Sequence, residues 1–236
     1  EVVGRACNEL GVAYTTDSLK NAIRDVNKKR KALQTLYSKR KSGEVSISAE
    51  KLYSVILSST WKSVDAFLTG VTELVQNKDT AKKADSEGKI VLSATELDNL
   101  NFFKLLDEVG FTVVSDDLAS GTRYAKDLVN EDGEDIEKLA SNIARRYIMK
   151  PPCSVKDPSD RRINELVAEV KESGAQGVIF FRTRFCDSEG VEYAFIKKVL
   201  ENEKIPHLYL ESDHRLSNYQ QLRTRLEAFY EQIVGI

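Results

Sequence analysis

From residue 89 onward the chain repeats one unit four times, a short apolar run rich in β-branched and aromatic residues followed by a stretch with helical spacing. The runs predict strands at 89–93, 111–115, 177–181 and 207–210. The stretches predict helices at 97–109, 134–148, 159–173, 189–202 and 219–233. A strand followed by a helix returns the chain parallel to itself, so this alternation specifies a parallel sheet with right-handed crossovers. Asp98, Asp157 and Ser188 stand near predicted helix starts, and Gly110 and Gly174 just past helix ends, where capping chemistry places such residues. The longest excursion, 116–157, separates the second and third strands. Such sheets reverse direction at an excursion of this kind, which predicts strand order 2-1-3-4 and a crevice between the strands that end at Ser93 and Phe181. The expected fold is α/β, a four-stranded parallel Rossmann- or flavodoxin-like sheet preceded by a helical arm.

The arm occupies residues 1–78. Asp17 can cap a helix whose apolar stripe is Leu19, Ile23, Val26, Leu33 and Tyr37, with Lys28, Lys29, Arg30, Lys31, Lys39, Arg40 and Lys41 on the remaining faces. That basic excess reads as a solvated face, with an anion-binding surface as the alternative. Ser48 starts a second helix through Leu52, Val55 and Ile56, and 64–75 forms a third. Residues 77–88, polar and rich in Lys and Asp, read as a linker to the α/β domain at 89–236.

With 41% hydrophobic and 31% charged residues in 236, the chain has ample core, and a net charge of −2 supplies no basic field for nucleic acid. It has neither an apolar stretch approaching ~20 residues nor a signal-peptide pattern, so the expectation is a cytoplasmic protein without a membrane span. Cys7, Cys153 and Cys186 are too few and too far apart for a disulfide framework. The chain opens Glu1-Val-Val-Gly4 without an initiator Met, and its only Met is Met149, which suggests that something precedes it.

Chemistry is expected at the C-terminal edge of the sheet, where Ser93-Ala-Thr-Glu96, Arg182-Thr-Arg-Phe-Cys186 and Glu211-Ser-Asp-His214 would line one cleft. Cys186 falls where an apolar strand ends and a helix begins. Downstream, Val191, Phe195, Ile196, Val199 and Leu200 recur at helical spacing. Helix N-termini favour anions there, and together with Arg182 and Arg184 they would favour the thiolate of Cys186 and metal binding. The alternative is a small buried hydrophobe. His207 reads as packing and His214 as a loop residue without a catalytic role, and two histidines are too few for an ordinary zinc site. The chain carries no Walker loop, G-x-G-x-x-G, G-x-S-x-G or C-x-x-C.

Several segments together resemble the 2-hydroxyacyl-CoA dehydratase and benzoyl-CoA reductase family. They are Phe185-Cys186-Asp187 after an apolar strand, then Ile205-Pro-His-Leu-Tyr-Leu-Glu-Ser-Asp213, then Gln221-Leu-Arg-Thr-Arg-Leu-Glu-Ala-Phe229. Asp116-Asp-Leu-Ala-Ser-Gly-Thr-Arg-Tyr124 looks like the family's D-D-L-C-x-G-S-R-Y segment, Pro152-Cys153 falls where its P-C segment falls, and the helical arm matches the stretch before its C-terminal domain. The resemblance spans essentially the whole chain. It departs from the family pattern at Ser188, where Pro is common, and at Ala119, which replaces a Cys.

The resemblance implies that each subunit has two α/β domains holding an iron–sulfur cluster of the 4Fe–4S kind through three cysteines. Two of these come from an N-terminal domain and one from the F-C-D motif, here Cys186. Cys153 is a secondary ligand candidate, and Cys7 reads as packing. Arg123, Arg182, Arg184 and Gln221 are candidate cleft residues, each equally readable as structural, and Gly121 reads as relieving a tight turn. The implied N-terminal domain is absent from this chain, so the chain alone should be inactive. The implied partners are a homologous second subunit forming a heterodimer, an ATP-hydrolysing iron–sulfur activator and an acyl-CoA substrate. The implied reaction is an anaerobic radical dehydration of a 2-hydroxyacyl-CoA to an enoyl-CoA, in which one electron enters the thioester, a ketyl radical forms and water leaves. Alternatives are a benzoyl-CoA reductase-type or other low-potential reductase subunit, a non-catalytic electron relay, and a plain α/β binding domain without a cluster.

Overall fold

The computed structural model describes residues 2–76, 87–150, 152–153 and 160–235. The expected linker lies largely outside the described residues, as do Asp157 and Ser159. The helical region comprises α1 (Val2–Glu9), α2 (Thr16–Lys41), α3 (Ala49–Ser58) and α4 (Val64–Gln76). The α/β region comprises β1 (Lys89–Ser93), α5 (Leu100–Val109), β2 (Thr112–Asp117), α6 (Thr122–Ala125), α7 (Ile136–Met149), α8 (Asp160–Ser173), β3 (Gly177–Thr183), α9 (Asp187–Asn202), β4 (His207–Ser212) and α10 (Tyr219–Val234). The sheet is four-stranded, in the order β2-β1-β3-β4, and every pairing is parallel, as the strand–helix alternation requires.

Alternating strand residues feed two cores. Ile90, Leu92, Val113, Ile179, Phe181 and Leu210 join the helical region, α5 and α10 in one large cluster. Val91, Val178 and Phe180 pack on Ile163, Leu166 and Val170 of α8 and on Ile196 and Leu200 of α9. Each large aliphatic side chain removed from water contributes roughly 1.5–3 kcal/mol, so this two-sided burial is what holds the sheet. Because α2, α3 and α4 share the larger core, the arm lies against the sheet rather than apart from it.

Several boundaries differ from expectation for physical reasons. β3 and β4 run two residues further, through Arg182, Thr183, Glu211 and Ser212, because the ladder continues on backbone bonds whatever the side chains are. β2 likewise runs on to Asp116 and Asp117. Asn99, not Asp98, caps α5, and Thr15, not Asp17, caps α2, in a reciprocal pair with Ser18. Gly110 ends α5 at φ +115, the left-handed geometry glycine permits.

The largest correction concerns the basic faces of α2. Lys29, Arg30 and Arg40 are buried, not solvated. Lys29 Nζ donates to the carbonyls of Ser59 (2.9 Å) and Lys62 (2.6 Å), and Arg40 donates to the carbonyls of Val113 and Ile47. Lys29 thereby ties α2 to the turn between α3 and α4, and Arg40 ties α2 to β2 and to the segment before α3.

Candidate functional site at the C-terminal edge of the sheet

Cys186 is the N-cap residue of α9, where a helix starts immediately beyond the end of β3. Its side chain makes no capping bond, the residue is half-buried, and Sγ lies 3.4 Å from Ser188 Oγ. The expected cap, Ser188, instead lies in the first turn. A thiol at this position lies at the positive end of the helix dipole.

The backbone around it is held from several directions. The Cys186 amide donates to Thr183 O (3.0 Å), closing a tight turn, and the Arg184 amide donates to Ser212 O of the next strand (2.8 Å). Arg182 Nε donates to the Cys186 carbonyl at 2.9 Å. Glu189, only 2% exposed, accepts from the Thr95 amide at 2.6 Å and the Thr183 amide at 3.2 Å, joining the loop after β1 to the end of β3. Between these supports Phe185 adopts φ +70 and stands 87% exposed. A bulky residue in the left-handed region costs of order 1–3 kcal/mol and persists only where its surroundings over-determine it. The hydrogen bonds on either side of this turn fix the position of the Cys186 backbone.

The two arginines expected to flank the thiol do something else. Arg182 pairs with Glu211 (3.3 Å) and Asp187 (3.7 Å) and donates to the Tyr209 hydroxyl (3.2 Å), while Arg184 pairs with Glu211 at 3.7 Å. Their charge is answered by carboxylates, and Arg182 acts on Cys186 through its carbonyl. Arg123 is buried and donates to the carbonyls of Ala94 (3.0 Å), Thr95 (2.7 Å) and Pro152 (3.3 Å). It is an anchor, and it places the half-buried Cys153, next after Pro152, beside the loop at the end of β1. Gln221 is exposed near the start of α10, with its Oε1 3.4 Å from Asn218 Nδ2. No residue of α1, including Cys7, is buried. His207 Nδ1 lies 3.1 Å from Ile205 O, and Tyr193 meets its ring edge-on. His214 contributes its carbonyl to Asn99 (2.6 Å).

Periodicity missed what lies beneath this edge. On α9 the expected apolar stripe divides: Ile196 and Leu200 are buried, whereas Val191 and Phe195 are exposed, and Glu189 and Glu192 face inward in their place. Glu192 pairs with Arg162, which also pairs with Asp117 at 2.7 Å. Asp117 in turn meets Arg123 (3.3 Å) and accepts from Ser93 Oγ (3.1 Å). Four charged side chains, two carboxylates and two guanidiniums, thus sit under the switch point in one chain of ion pairs, as buried charge requires. The signal was present in the sequence, since Glu189, Glu192, Ile196 and Leu200 are themselves at helical spacing. An apolar-only reading discards it.

Among the described residues no group of three Cys, His, Asp or Glu side chains could hold a metal ion. The edge thus presents a single thiol at a helix N-terminus, and the described residues around it form no metal-binding set by themselves.

A family model for the D-component of 2-hydroxyglutaryl-CoA dehydratase matches residues 1–233. The chain is 30% identical over 225 residues to the (R)-phenyllactyl-CoA dehydratase beta subunit of Clostridium sporogenes, covering 94% of this chain and 59% of that protein. It is 27% identical over 238 residues to the beta subunit of (R)-2-hydroxyglutaryl-CoA dehydratase from Acidaminococcus fermentans, covering 99% of this chain and 62% of the relative. It is also 22% identical over 226 residues to a benzoyl-CoA reductase subunit of Thauera aromatica, covering 94% of this chain and 58% of that protein. The chain spans less than two thirds of the length of each of these relatives. With the match running over nearly all its length, the chain belongs to the 2-hydroxyglutaryl-CoA dehydratase D-component family.

Proposed function

We propose that the chain forms part of a subunit of an iron–sulfur 2-hydroxyacyl-CoA dehydratase and supplies Cys186 as one thiolate ligand of the cluster. The observation that carries this reading is the strained, multiply pinned turn that sets a half-buried thiol at the N-terminus of α9. When bound, a cluster of this kind supplies one-electron transfer. The residues of the chain do the positioning. Arg182 fixes the Cys186 carbonyl, Glu189 fixes the strand end and the neighbouring loop, and Arg123 holds the Pro152–Cys153 segment against the same loop. Holding a ligand's backbone from beneath keeps the thiolate oriented and tunes the group it binds. The similarity to dehydratase beta subunits supports a partner subunit, and the proposal adds an ATP-hydrolysing activator as the electron source.

The test is turnover by the full-length complex with its activator and ATP under anaerobic conditions. Loss of water from a 2-hydroxyacyl-CoA is the expected result. Reduction of an aromatic acyl-CoA without any dehydration would place the protein on the reductase branch, in keeping with its likeness to a benzoyl-CoA reductase subunit. A protein that turned over neither substrate class and lacked the broad absorption near ~400 nm of iron–sulfur proteins would contradict the reading.

A further inference from the structure

Away from the Cys186 edge, α7 and the loop before it enclose a pocket of about 250 Å³ lined by Arg145, Arg146, Asn130, Asn142 and Met149, with the exposed Asp127 also on its wall. Arg146 is buried and pinned, its Nε donating to Asp127 O (3.2 Å) and Nη2 to the carbonyls of Tyr124 (2.5 Å) and Lys126 (2.9 Å). Its Nη1 is buried without a partner. Behind it Arg30, 1% exposed, donates to Asn27 Oδ1 (3.3 Å) and the Tyr147 hydroxyl (3.2 Å), and its Nε also lacks a partner. Three cations crowd the Tyr147 ring, Arg146 at 4.9 Å, Lys150 at 5.7 Å and Arg30 at 5.8 Å from its centroid.

These charges are not answered as others in the molecule are. Arg123 and Arg162, equally buried, each meet a carboxylate. Arg30, Arg145, Arg146 and Lys150 form no ion pair with any described carboxylate, and the exposed Asp127 on the pocket wall, acting on Arg146 at longer range, answers only part of this charge. Burial, followed by repulsion from Arg30, lowers the Arg146 guanidinium from its ordinary value, and burial, followed by Arg146 and Arg123, lowers the Lys150 ammonium. An aromatic face offsets part of the cost of gathering like charges, but it does not supply the missing counter-charge. A multiply charged anion does, and paired guanidiniums match phosphate oxygens in geometry.

We infer that this pocket binds a phosphate group, gripped by Arg145 and Arg146 on its wall, in the positive field of Arg30 and Lys150 and beside the half-exposed ring of Tyr147. The phosphate has two chemical sources, the nucleotide half of a coenzyme A thioester or free phosphate. Only the first rests on the proposed function.

The experiment is calorimetric titration of the full-length subunit with its partner, using inorganic phosphate and adenosine 3′,5′-bisphosphate as probes, against Arg145→Glu and Lys150→Glu. Neither side chain makes a hydrogen bond among the described residues, so the variants should melt with the wild type. At least one probe should bind, and Arg145→Glu should weaken it roughly tenfold or more, with Lys150→Glu severalfold weaker. Tighter binding of the bisphosphate than of inorganic phosphate assigns the site to the coenzyme, and equal binding assigns it to free phosphate. Absence of binding by both probes, or an affinity unchanged in Arg145→Glu, overturns the inference. Neither outcome touches the iron content on which the Cys186 reading depends.

Discussion

Asp116 and Cys186 both lie beyond the apolar stretch of a strand, both in segments that resemble the family's, and their surroundings are opposite. Asp116 points into the helical region and is saturated. It accepts from the hydroxyls of Tyr37 and Tyr53 (the latter at 2.6 Å), from the amides of Leu118 (3.1 Å) and Thr122 (2.8 Å), and from Thr122 Oγ1 (3.2 Å). Gly121 approaches the carboxylate so closely that a Cβ there would collide with it, so this glycine is required by contact rather than by the turn alone. Cys186 has a backbone held on several sides and a thiol left facing the edge. The contrast separates two uses of a motif: a residue whose every bond is satisfied within the chain builds architecture, and one whose scaffold is fixed while its reactive atom meets only a neighbouring serine hydroxyl is built for something else.

Substitutions at the two residues should have opposite consequences for stability. Asp116→Ala, which strands two buried tyrosine hydroxyls and two amides, should cost about 3 kcal/mol or more in chemical denaturation; a loss under about 1 kcal/mol would mean that the helical region does not depend on this carboxylate. Gly121→Ala should cost about 2 kcal/mol by forcing the same carboxylate aside. A smaller effect comes from pH. Burial, the largest influence, raises the Asp116 carboxyl above its ordinary range, against the hydrogen bonds from Tyr37, Tyr53, Thr122 and Leu118 that pull it down. The folded state then keeps a proton that the unfolded chain has released. Its stabilising contribution is complete below about pH 4 and declines as pH rises through the folded value. Wild type should therefore lose stability relative to Asp116→Asn over that interval, as followed by urea melts at successive pH values; a difference that stays flat or runs the other way would show that the hydrogen bonds outweigh burial. At the other pole, Cys186→Ser should change stability by no more than about 0.5 kcal/mol, since the thiol makes no capping bond; a cost comparable to that of Gly121→Ala would make it a structural residue.

The sheet order and the position of Cys186 between β3 and α9 were legible in the sequence because they derive from the strand–helix alternation and from one long excursion. Less legible was anything that depends on polar residues inside. Arg30 and Arg40 continue the helical stripe of Ile23, Leu33 and Tyr37, and Glu189 and Glu192 continue that of Ile196 and Leu200, yet hydropathy alone sends them outward. What draws them in is a set of partners distant in sequence, such as Val113 O for Arg40 and Arg162 for Glu192, which no local pattern reports. The same blindness placed Arg182 and Arg184 against the thiol, when Glu211 on the neighbouring strand holds them. Phe185 could not be foreseen in its exposed, left-handed conformation, because that strain is a property of the assembled turn.

We propose that Cys186 is a cluster ligand held ready by the end of β3 and the start of α9. Anaerobic measurement of iron and acid-labile sulfide in the full-length protein with its partner subunit, for wild type, Cys186→Ser and Cys7→Ser, tests it directly. About four irons per subunit in the wild type and in Cys7→Ser, with a loss confined to Cys186→Ser, is the predicted result. Iron content unchanged by Cys186→Ser, or iron absent from the wild type, would contradict it.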